Sequence, residues 1–171
     1  MASHIGRCAW CGTIEEFLRF NRKTFMEMMK TQNAAVSDYP VGEAHYVAWR
    51  DEFKHLRVQL ARLSPKYHKL HIALEYVLPG YPDKETGKVE YEKRPDAVIF
   101  SSNRVLVMEF KQHEPPPFEG FAREVRGYLR LLERWHPHVP KMSAKGLLVF
   151  ADCAIPHPFP TTWLQSIQLS A

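Results

Sequence analysis

The chain of 171 residues lacks several features that would place it in a specialised class of protein. No apolar run approaches the ~18 residues that a membrane span requires, and residues 1–7 contain no apolar segment of the kind found in a secretory signal. Glycine is scarce, with 8 residues against 13 prolines, which indicates stiff connections. No internal repeat or low-complexity tract is present. These absences predict one cytoplasmic globular domain with no membrane partner.

The composition is that of an ordinary globular protein with a slight excess of positive charge. Hydrophobic residues make up 45% and charged residues 25% of the chain, which excludes disordered, collagen-like and coiled-coil proteins. The chain has 23 lysines and arginines against 19 acidic residues, so its net charge is +4. A charge of this size is compatible with a polyanionic partner and does not by itself establish one.

Cysteine is also scarce, and three residues are too few for a disulfide framework. Cys8 and Cys11 form a C-x-x-C pair, but a structural zinc site needs about four ligands and Cys153 has no paired neighbour. A thioredoxin-like redox pair would follow a strand inside a β-α-β unit, whereas this pair lies near the start of the sequence. Chance spacing is the favoured interpretation. A zinc or redox module centred on Cys8 and Cys11 is kept as a lesser hypothesis.

Three common motifs of nucleotide binding and catalysis are missing from the sequence. There is no G-x-x-x-x-G-K-[ST], no G-x-G-x-x-G and no G-x-S-x-G. The chain therefore contains no P-loop ATPase, no dinucleotide-binding fingerprint and no serine-hydrolase elbow. Its histidines are scattered, without the helical spacing of metal ligands.

Apolar periodicity predicts an α/β order of elements. Thr13 and Glu16 form a capping box that opens a helix, and the apolar period changes from helical to two after Pro65. Residues 31–42 are predicted as a loop. The predicted order is helix, helix, strand, strand, strand, helix and strand, at about 14–30, 43–63, 71–78, 96–100, 105–111, 118–135 and 146–151. This order describes a mixed sheet flanked by helices.

The hairpin between two of these strands places charged residues together. With a two-residue turn at Ser102 and Asn103, Asp96 lies directly opposite Glu109, and both side chains project from one face. Lys111 lies two residues beyond Glu109, on the same face and diagonal to Asp96. Two opposed carboxylates repel each other unless a cation lies between them. This arrangement predicts a Mg²⁺ or Mn²⁺ site whose charge Lys111 supplements.

The predicted strand at 71–78 adds a further carboxylate. Strict alternation places Glu75 on the polar side of this strand, from which it reaches the metal directly or through water. The opposite, core-facing side would carry Ile72, Leu74, Tyr76 and Leu78. A solvated ion-pair face, worth about 0–1 kcal/mol, is the alternative interpretation of all these charged residues.

These residues resemble a known signature. Asp96, twelve intervening residues and Glu109-Phe110-Lys111 resemble the D…(D/E)-x-K motif of the PD-(D/E)XK nuclease superfamily. Pro95 supplies the leading dipeptide, and Gln112 after the lysine is similar to a variant of the motif. The order of helix, strand, hairpin, helix and strand is similar to the core of that superfamily. The resemblance implies a restriction-endonuclease-like α/β fold.

A closer resemblance covers most of the chain. It is to the nuclease-like N-terminal region that precedes a helicase-type ATPase in some bacterial proteins. The similar segments fall in the expected order, Trp10–Phe17, Ala48-Trp49, Leu74–Tyr76, Arg94–Asp96, Glu109–Lys111 and Trp135-His136. Glu124 stands where a glutamine is usual. The resemblance implies a helicase or ATPase domain as partner, in cis or in trans.

The resemblance also implies a division of the chain and a reaction. One domain over 1–171 would comprise an N-terminal helical segment (1–66), a catalytic core (67–152) and a closing loop and tail (153–171). The implied reaction is metal-dependent hydrolysis of phosphodiester bonds in nucleic acid, with DNA favoured over RNA. A catalytically silent domain that keeps the fold and binds nucleic acid is the alternative.

The resemblance assigns roles to individual residues. Asp96, Glu109 and Glu75 would hold Mg²⁺ or Mn²⁺, helped by the backbone carbonyl of Phe110. Lys111 would orient the attacking water or donate to the transition state. Asp96, Glu109, Glu75 and Lys111 are thus the candidate catalytic residues.

Four further residues are candidates for contact with nucleic acid. Arg94 steadies a phosphate or forms a salt bridge at the rim, and the two are equally compatible with the sequence. Gln112 is a weaker candidate, because an ideal strand turns its side chain away from the preceding lysine. Arg123 and Arg126 lie on the polar side of the third predicted helix. That side fits a phosphate-tracking ridge, but the solvated face of an amphipathic helix is the favoured interpretation.

Overall fold

The computed structural model describes residues 7–36, 42–80, 92–111, 118–136, 138–139 and 143–150. The helices within these residues are α1 (Ile14–Arg19), α2 (Arg22–Val36), α3 (Glu43–Ala61) and α4 (Phe118–Trp135), with a 3₁₀ turn at Pro65–Lys69. The strands are β1 (Trp10–Thr13), β2 (His71–Leu74), β3 (Ala97–Phe100), β4 (Arg104–Lys111) and β5 (Ser143–Phe150).

The five strands form one mixed sheet in the order β1-β2-β3-β4-β5. Neighbouring strands are antiparallel except for the parallel pair β4 and β5. Helix α4 lies between these two in the sequence, because parallel neighbours need a crossover connection of this kind. The predicted class, an α/β protein with a mixed sheet flanked by helices, is confirmed.

Helices cover both faces of the sheet. One cluster packs α1, α2 and α3 against alternate strand residues, among them Ile72, Leu74, Ala97, Ile99, Leu106 and Met108. The other packs α4 against Ala73, Val98, Val105 and Val107. The strands are apolar at successive positions because each face is buried against a helix layer.

The predicted continuous helix over 14–30 is wrong, because two helices occupy this segment. After α1 the backbone of Phe20 is extended (φ −63°, ψ 137°). The side chain of Asn21 then accepts a hydrogen bond from the Thr24 N–H at 2.9 Å and caps α2. The ring of Phe20 contacts that of Trp10 edge to face, with centroids 5.3 Å apart. This aromatic contact holds the chain at the break.

Other predicted bounds shift by a few residues. Helix α2 continues through 31–36, which were predicted as loop, and α3 ends at Ala61 instead of residue 63. Strand β5 begins at Ser143 instead of residue 146. Termini carry the weakest sequence signals, since fewer contacts depend on them. The predicted tail at 153–171 lies outside the described residues.

Strand β1 has no counterpart in the predicted order. Its four residues pair antiparallel with β2 and lead straight into α1. The predicted capping box at this junction is confirmed. The Glu16 N–H donates to Thr13 Oγ1 at 3.2 Å, and the Thr13 N–H donates to Glu16 Oε2 at 2.7 Å.

The predicted strand over 71–78 is too long, because regular pairing stops at Leu74. Glu75 has a positive φ of 50°, a conformation that non-glycine residues adopt infrequently. This residue shifts the alternation of the chain that follows it. Tyr76 and Leu78 therefore pack in the cluster beneath α4 with Ala73, and not on the face that was predicted for them.

Gly146 in β5 lies against α4 with no room for a side chain. An added Cβ would overlap the side chain of Val125, which is stiff because it is β-branched. We expect Gly146→Ala to lower the free energy of unfolding by about 1–3 kcal/mol, the usual cost of overpacking. Gly127→Ala in α4 is the matched control, because a Cβ there meets nothing within 4 Å in the part of the chain that the structure describes. Urea denaturation compares the two variants, and an unchanged stability for Gly146→Ala would contradict the described packing.

Candidate functional site

Three strand ends meet at one edge of the sheet and carry the predicted acidic residues. β2 ends before Glu75, β3 begins after Asp96, and β4 carries Glu109 near its end. Antiparallel pairing brings these three positions to the same edge. Ala97 pairs with Met108, and continuing this register by one residue puts Asp96 opposite Glu109. The predicted register of the hairpin is confirmed.

Backbone hydrogen bonds fix Asp96 between the neighbouring strands. Its Oδ2 accepts a hydrogen bond from the Phe110 N–H at 2.6 Å, and its backbone carbonyl accepts one from the Glu75 N–H at 2.9 Å. The N–H of Phe110 therefore has a partner in this acidic residue, and the metal contact expected for the Phe110 carbonyl stays a prediction. Asp96 connects the end of β4 to the residue that follows β2.

Lys111 lies between two carboxylates. Its Nζ is 2.6 Å from Glu109 Oε1 and 3.0 Å from Glu124 Oε2. Glu124 also accepts a hydrogen bond from the hydroxyl of buried Tyr128, at 3.1 Å. The register places Lys111 diagonal to Asp96, as predicted, and its ion pairs are with Glu109 on its own strand and Glu124 on α4. Helix α4 therefore holds the ammonium group over the end of β4.

Glu75 turns toward α3, which the sequence did not predict. Its Oε1 accepts a hydrogen bond from Trp49 Nε1 at 3.0 Å. The positive φ of Glu75 causes this change, because it redirects the side chain from the α4 side of the sheet. Arg94 lies close enough to lower the pKa of Glu75, although burial raises that pKa more strongly. Glu75 remains with Asp96 and Glu109 at this edge of the sheet, which we call the acidic edge. It is held there by Trp49 of α3.

Glu52 of α3 is a further acidic residue that the sequence reasoning missed. It is buried, with 8% of its surface exposed. It lies three residues after Trp49 and four before Leu56, both of which belong to the core. A carboxylate inside the apolar stripe of a helix was the available signal, because an unpaired charge at such a position is costly. Its field reaches Asp96, Glu75 and Glu109.

The pKa values of all four carboxylates, at Glu52, Glu75, Asp96 and Glu109, are raised. Burial is the largest cause for each of them. Like charges add to burial, with Glu52 acting most strongly on Asp96. The pKa of Glu109 rises to about 7 although Lys111 opposes the shift. Desolvation alone would lower the pKa of Lys111, but its two carboxylate partners raise it. The site therefore contains more acidic groups than Lys111 neutralises.

The donor atoms at this edge suit a hard divalent cation. Among the described residues, no three His, Cys, Asp or Glu side chains already lie in an arrangement that holds a metal ion. Mg²⁺, however, is commonly held by one or two protein carboxylates, with water completing its shell. The opposed pair Asp96 and Glu109 meets that requirement. Within the same described residues Glu109 Oε2 is buried and has no hydrogen-bond partner, as expected for an oxygen that a cation would bind.

The four residues predicted to contact nucleic acid differ in how close they lie to the acidic edge. Arg94 lies near Glu75 and forms an ion pair with Glu92 at 3.2 Å. Arg123 is exposed on α4, one residue before Glu124, and lines a cavity with it. Arg126 is exposed on α4 without a described link to the acidic edge. Gln112 lies outside the described residues.

Cys8 precedes β1 and Cys11 lies within it. β1 is the outer strand of the sheet on the side away from β5. Cys8 is half-buried and Cys11 is exposed. Burial, with a smaller contribution from Cys11, raises the pKa of Cys8 to about 12. A redox-active cysteine needs the opposite shift, since the thiolate is the reactive form. The surroundings of Cys8 thus argue against the redox hypothesis.

Comparison of the chain with protein-family models, with curated proteins and with solved structures found no significant match. No helix among the described residues is long and apolar enough to cross a membrane.

Proposed function

We propose that this protein is a metal-dependent nuclease that hydrolyses phosphodiester bonds in nucleic acid. The observation that carries the proposal is the opposition of Asp96 and Glu109 at one sheet edge, with Lys111 bound to Glu109 at 2.6 Å. A strand pair that is otherwise core gains no stability from two opposed carboxylates. A bound divalent cation would convert this repulsion into attraction.

The order of elements supports a restriction-endonuclease-like core. Helix α3 precedes three antiparallel strands, and α4 then leads to a strand parallel to the third of them. This is the order that the resemblance to the PD-(D/E)XK superfamily implies. We assign the core to 67–152 within one domain over 1–171. The same resemblance makes DNA the proposed substrate ahead of RNA, and a helicase or ATPase domain the proposed partner.

Asp96 and Glu109 would hold Mg²⁺ or Mn²⁺ through carboxylate oxygens, and Glu75 would contribute directly or through water. When bound, such a cation acidifies a water molecule and polarises the phosphate. Lys111 presents its ammonium beside Glu109, where it stabilises negative charge that develops on the phosphate. Glu124 keeps that ammonium in position. The Phe110 N–H fixes the position of the Asp96 carboxylate by donating to its Oδ2.

A cleavage assay tests the proposal. The full chain is incubated with single-stranded and double-stranded DNA and RNA, each with Mg²⁺, with Mn²⁺ or with EDTA. We expect hydrolysis that requires the metal and disappears in EDTA. Lys69→Ala serves as a charge-matched control for Lys111→Ala, because Lys69 is exposed beside the start of β2, at the other end of the sheet.

A catalytically silent nucleic-acid-binding domain is the second candidate. The engagement of Lys111 by two carboxylates favours it, because a lysine so held has less freedom to reach a substrate. Binding of an oligonucleotide without hydrolysis in Mg²⁺ and in Mn²⁺ would establish this candidate and overturn the first.

A further inference from the structure

A cavity of about 480 Å³ lies along one side of α4, next to the acidic edge. Its lining residues are Lys93, Gly120, Arg123, Glu124, Gly127, Tyr128 and Leu131. Six of these seven follow one stripe of α4, at intervals of three and four residues. Glu124 and Tyr128 adjoin the candidate site through Lys111, and Arg123 is a predicted nucleic-acid contact, whereas the other lining residues have no role so far.

The cavity continues directly from the proposed active site. Glu124 lines it and also contacts Lys111 at 3.0 Å. Tyr128 lines it and donates its hydroxyl to Glu124. Only the side chain of Glu124 therefore separates a group in this cavity from Lys111, which the proposed reaction requires.

The walls combine apolar surface with two cations and the carboxylate of Glu124, which Lys111 and Tyr128 engage. Leu131, the ring of Tyr128 and two glycines provide the apolar part, while Lys93 and Arg123 are positive and exposed. The backbone of Lys93 is fixed, because its N–H and C=O both pair with Leu78 at 2.8 Å. An apolar floor with cations at the rim suits a flat, uncharged ring flanked by phosphates.

The two glycines leave the cavity open. A Cβ built at Gly120 or at Gly127 meets no atom of the described residues within 4 Å. Glycine in a helix interior is unfavourable relative to alanine, so packing does not account for either residue. Their effect is to let a ligand approach the backbone of α4.

We infer that this cavity receives one nucleoside unit of an unpaired strand, adjacent to the phosphate that is cleaved. The inference rests on the proposed function and specifies its substrate as single-stranded. The volume lies within the range of about 300–1,000 Å³ that encloses a small organic ligand. In a duplex each base is stacked and paired, and it enters such a cavity only if it is first extruded at a cost in free energy.

Binding experiments with a fluorescent 15-nucleotide dT strand test the inference. They are made in EDTA, so that cleavage is not required, with the same strand paired to dA as the duplex probe and free dTMP as the mononucleotide probe. We expect the strand to bind at least about tenfold more tightly than the duplex. We expect dTMP to bind weakly, since one unit lacks the flanking phosphates that Lys93 and Arg123 would contact.

Gly127→Leu places a side chain in the cavity, and its Cβ meets none of the described atoms within 4 Å. We expect it to weaken binding of the dT strand by about tenfold, the scale of losing one stacked base, while the melting temperature is not lowered. Gly120→Leu, about two helical turns away, is the second variant. Ala61→Leu adds the same side chain to an exposed position at the end of α3 and should change neither quantity.

The outcomes separate this inference from the proposed function. Equal binding of strand and duplex, with no effect of Gly127→Leu or Gly120→Leu, overturns the cavity assignment, and metal-dependent cleavage by the same protein would leave the nuclease proposal standing. Absence of binding to every nucleic-acid probe overturns the cavity assignment, and the nuclease proposal is overturned with it only if cleavage in Mg²⁺ and in Mn²⁺ is absent as well. Tight binding of dTMP alone would identify a mononucleotide site and also contradict the assignment to a strand.

Discussion

Replacement of Lys111 by alanine is expected to reduce metal-dependent cleavage by about 100-fold or more, the usual effect of removing a group that stabilises charge in the transition state. In the structure its ammonium is the cation that contacts Glu109, and α4 holds it there through Glu124. Initial rates with a labelled oligonucleotide measure the effect. The rate of Lys69→Ala should equal that of the natural chain.

A folding defect must be distinguished from a chemical one in this variant. Removing Lys111 leaves Glu109, which is only 5% exposed, without its ion-pair partner. The metal-free variant is therefore expected to lose stability, since a buried charge loses its compensation. Glu124→Gln is the variant to compare with it. This change keeps Lys111 and its ion pair with Glu109 and removes the second ion pair of Lys111. Full activity of a folded Lys111→Ala protein would refute the assigned role.

The part of the site on the β3–β4 hairpin was predictable from the sequence. Once a two-residue turn is taken at Ser102 and Asn103, the register follows from local geometry alone. Asp96 and Glu109 follow from counting outward along the two strands. The correct placement of this pair did not require any knowledge of the helices.

The remainder of the site depends on contacts between distant elements. Glu75 takes a left-handed conformation and binds Trp49, which is 26 residues away in the sequence. Periodicity assumes a regular strand and therefore assigned Glu75 to the wrong side. Glu52 was overlooked because the helix that carries it is otherwise amphipathic. Strand β1 is only four residues long and carries no clear alternation, so its pairing with β2 is visible only in the fold.

Addition of Mn²⁺ is expected to raise the melting temperature of the natural protein, because a cation between Asp96 and Glu109 relieves their repulsion. At a concentration ten times the dissociation constant, binding to the folded state adds about 1.4 kcal/mol. For a chain of this size that corresponds to a shift of about 3–6 °C. Differential scanning fluorimetry in EDTA and in increasing Mn²⁺ measures it.

Asp96→Asn should alter stability in opposite directions with and without the metal. The amide keeps the shape of the carboxylate, and its oxygen can still accept the hydrogen bond from the Phe110 N–H. In EDTA the variant is expected to melt at a higher temperature than the natural protein, since one buried like charge is gone. In Mn²⁺ the variant is expected to melt at a lower temperature than the natural protein, because it lacks a metal ligand and the cation stabilises it little. Glu52→Gln should share the first effect, because Glu52 is the like charge that acts most strongly on Asp96.

Glu15→Gln is the matched control for these carboxylate-to-amide changes. Glu15 is exposed and pairs with Arg19 within α1, so its loss removes a surface ion pair worth about 0–1 kcal/mol. Its response to Mn²⁺ should equal that of the natural protein. If Asp96→Asn and the natural protein had the same melting temperature in EDTA, and Mn²⁺ raised both by the same amount, the carboxylates would be an ordinary ion-pair face. The opposite signs expected for Asp96→Asn make stability alone a test of the metal site, independent of any substrate.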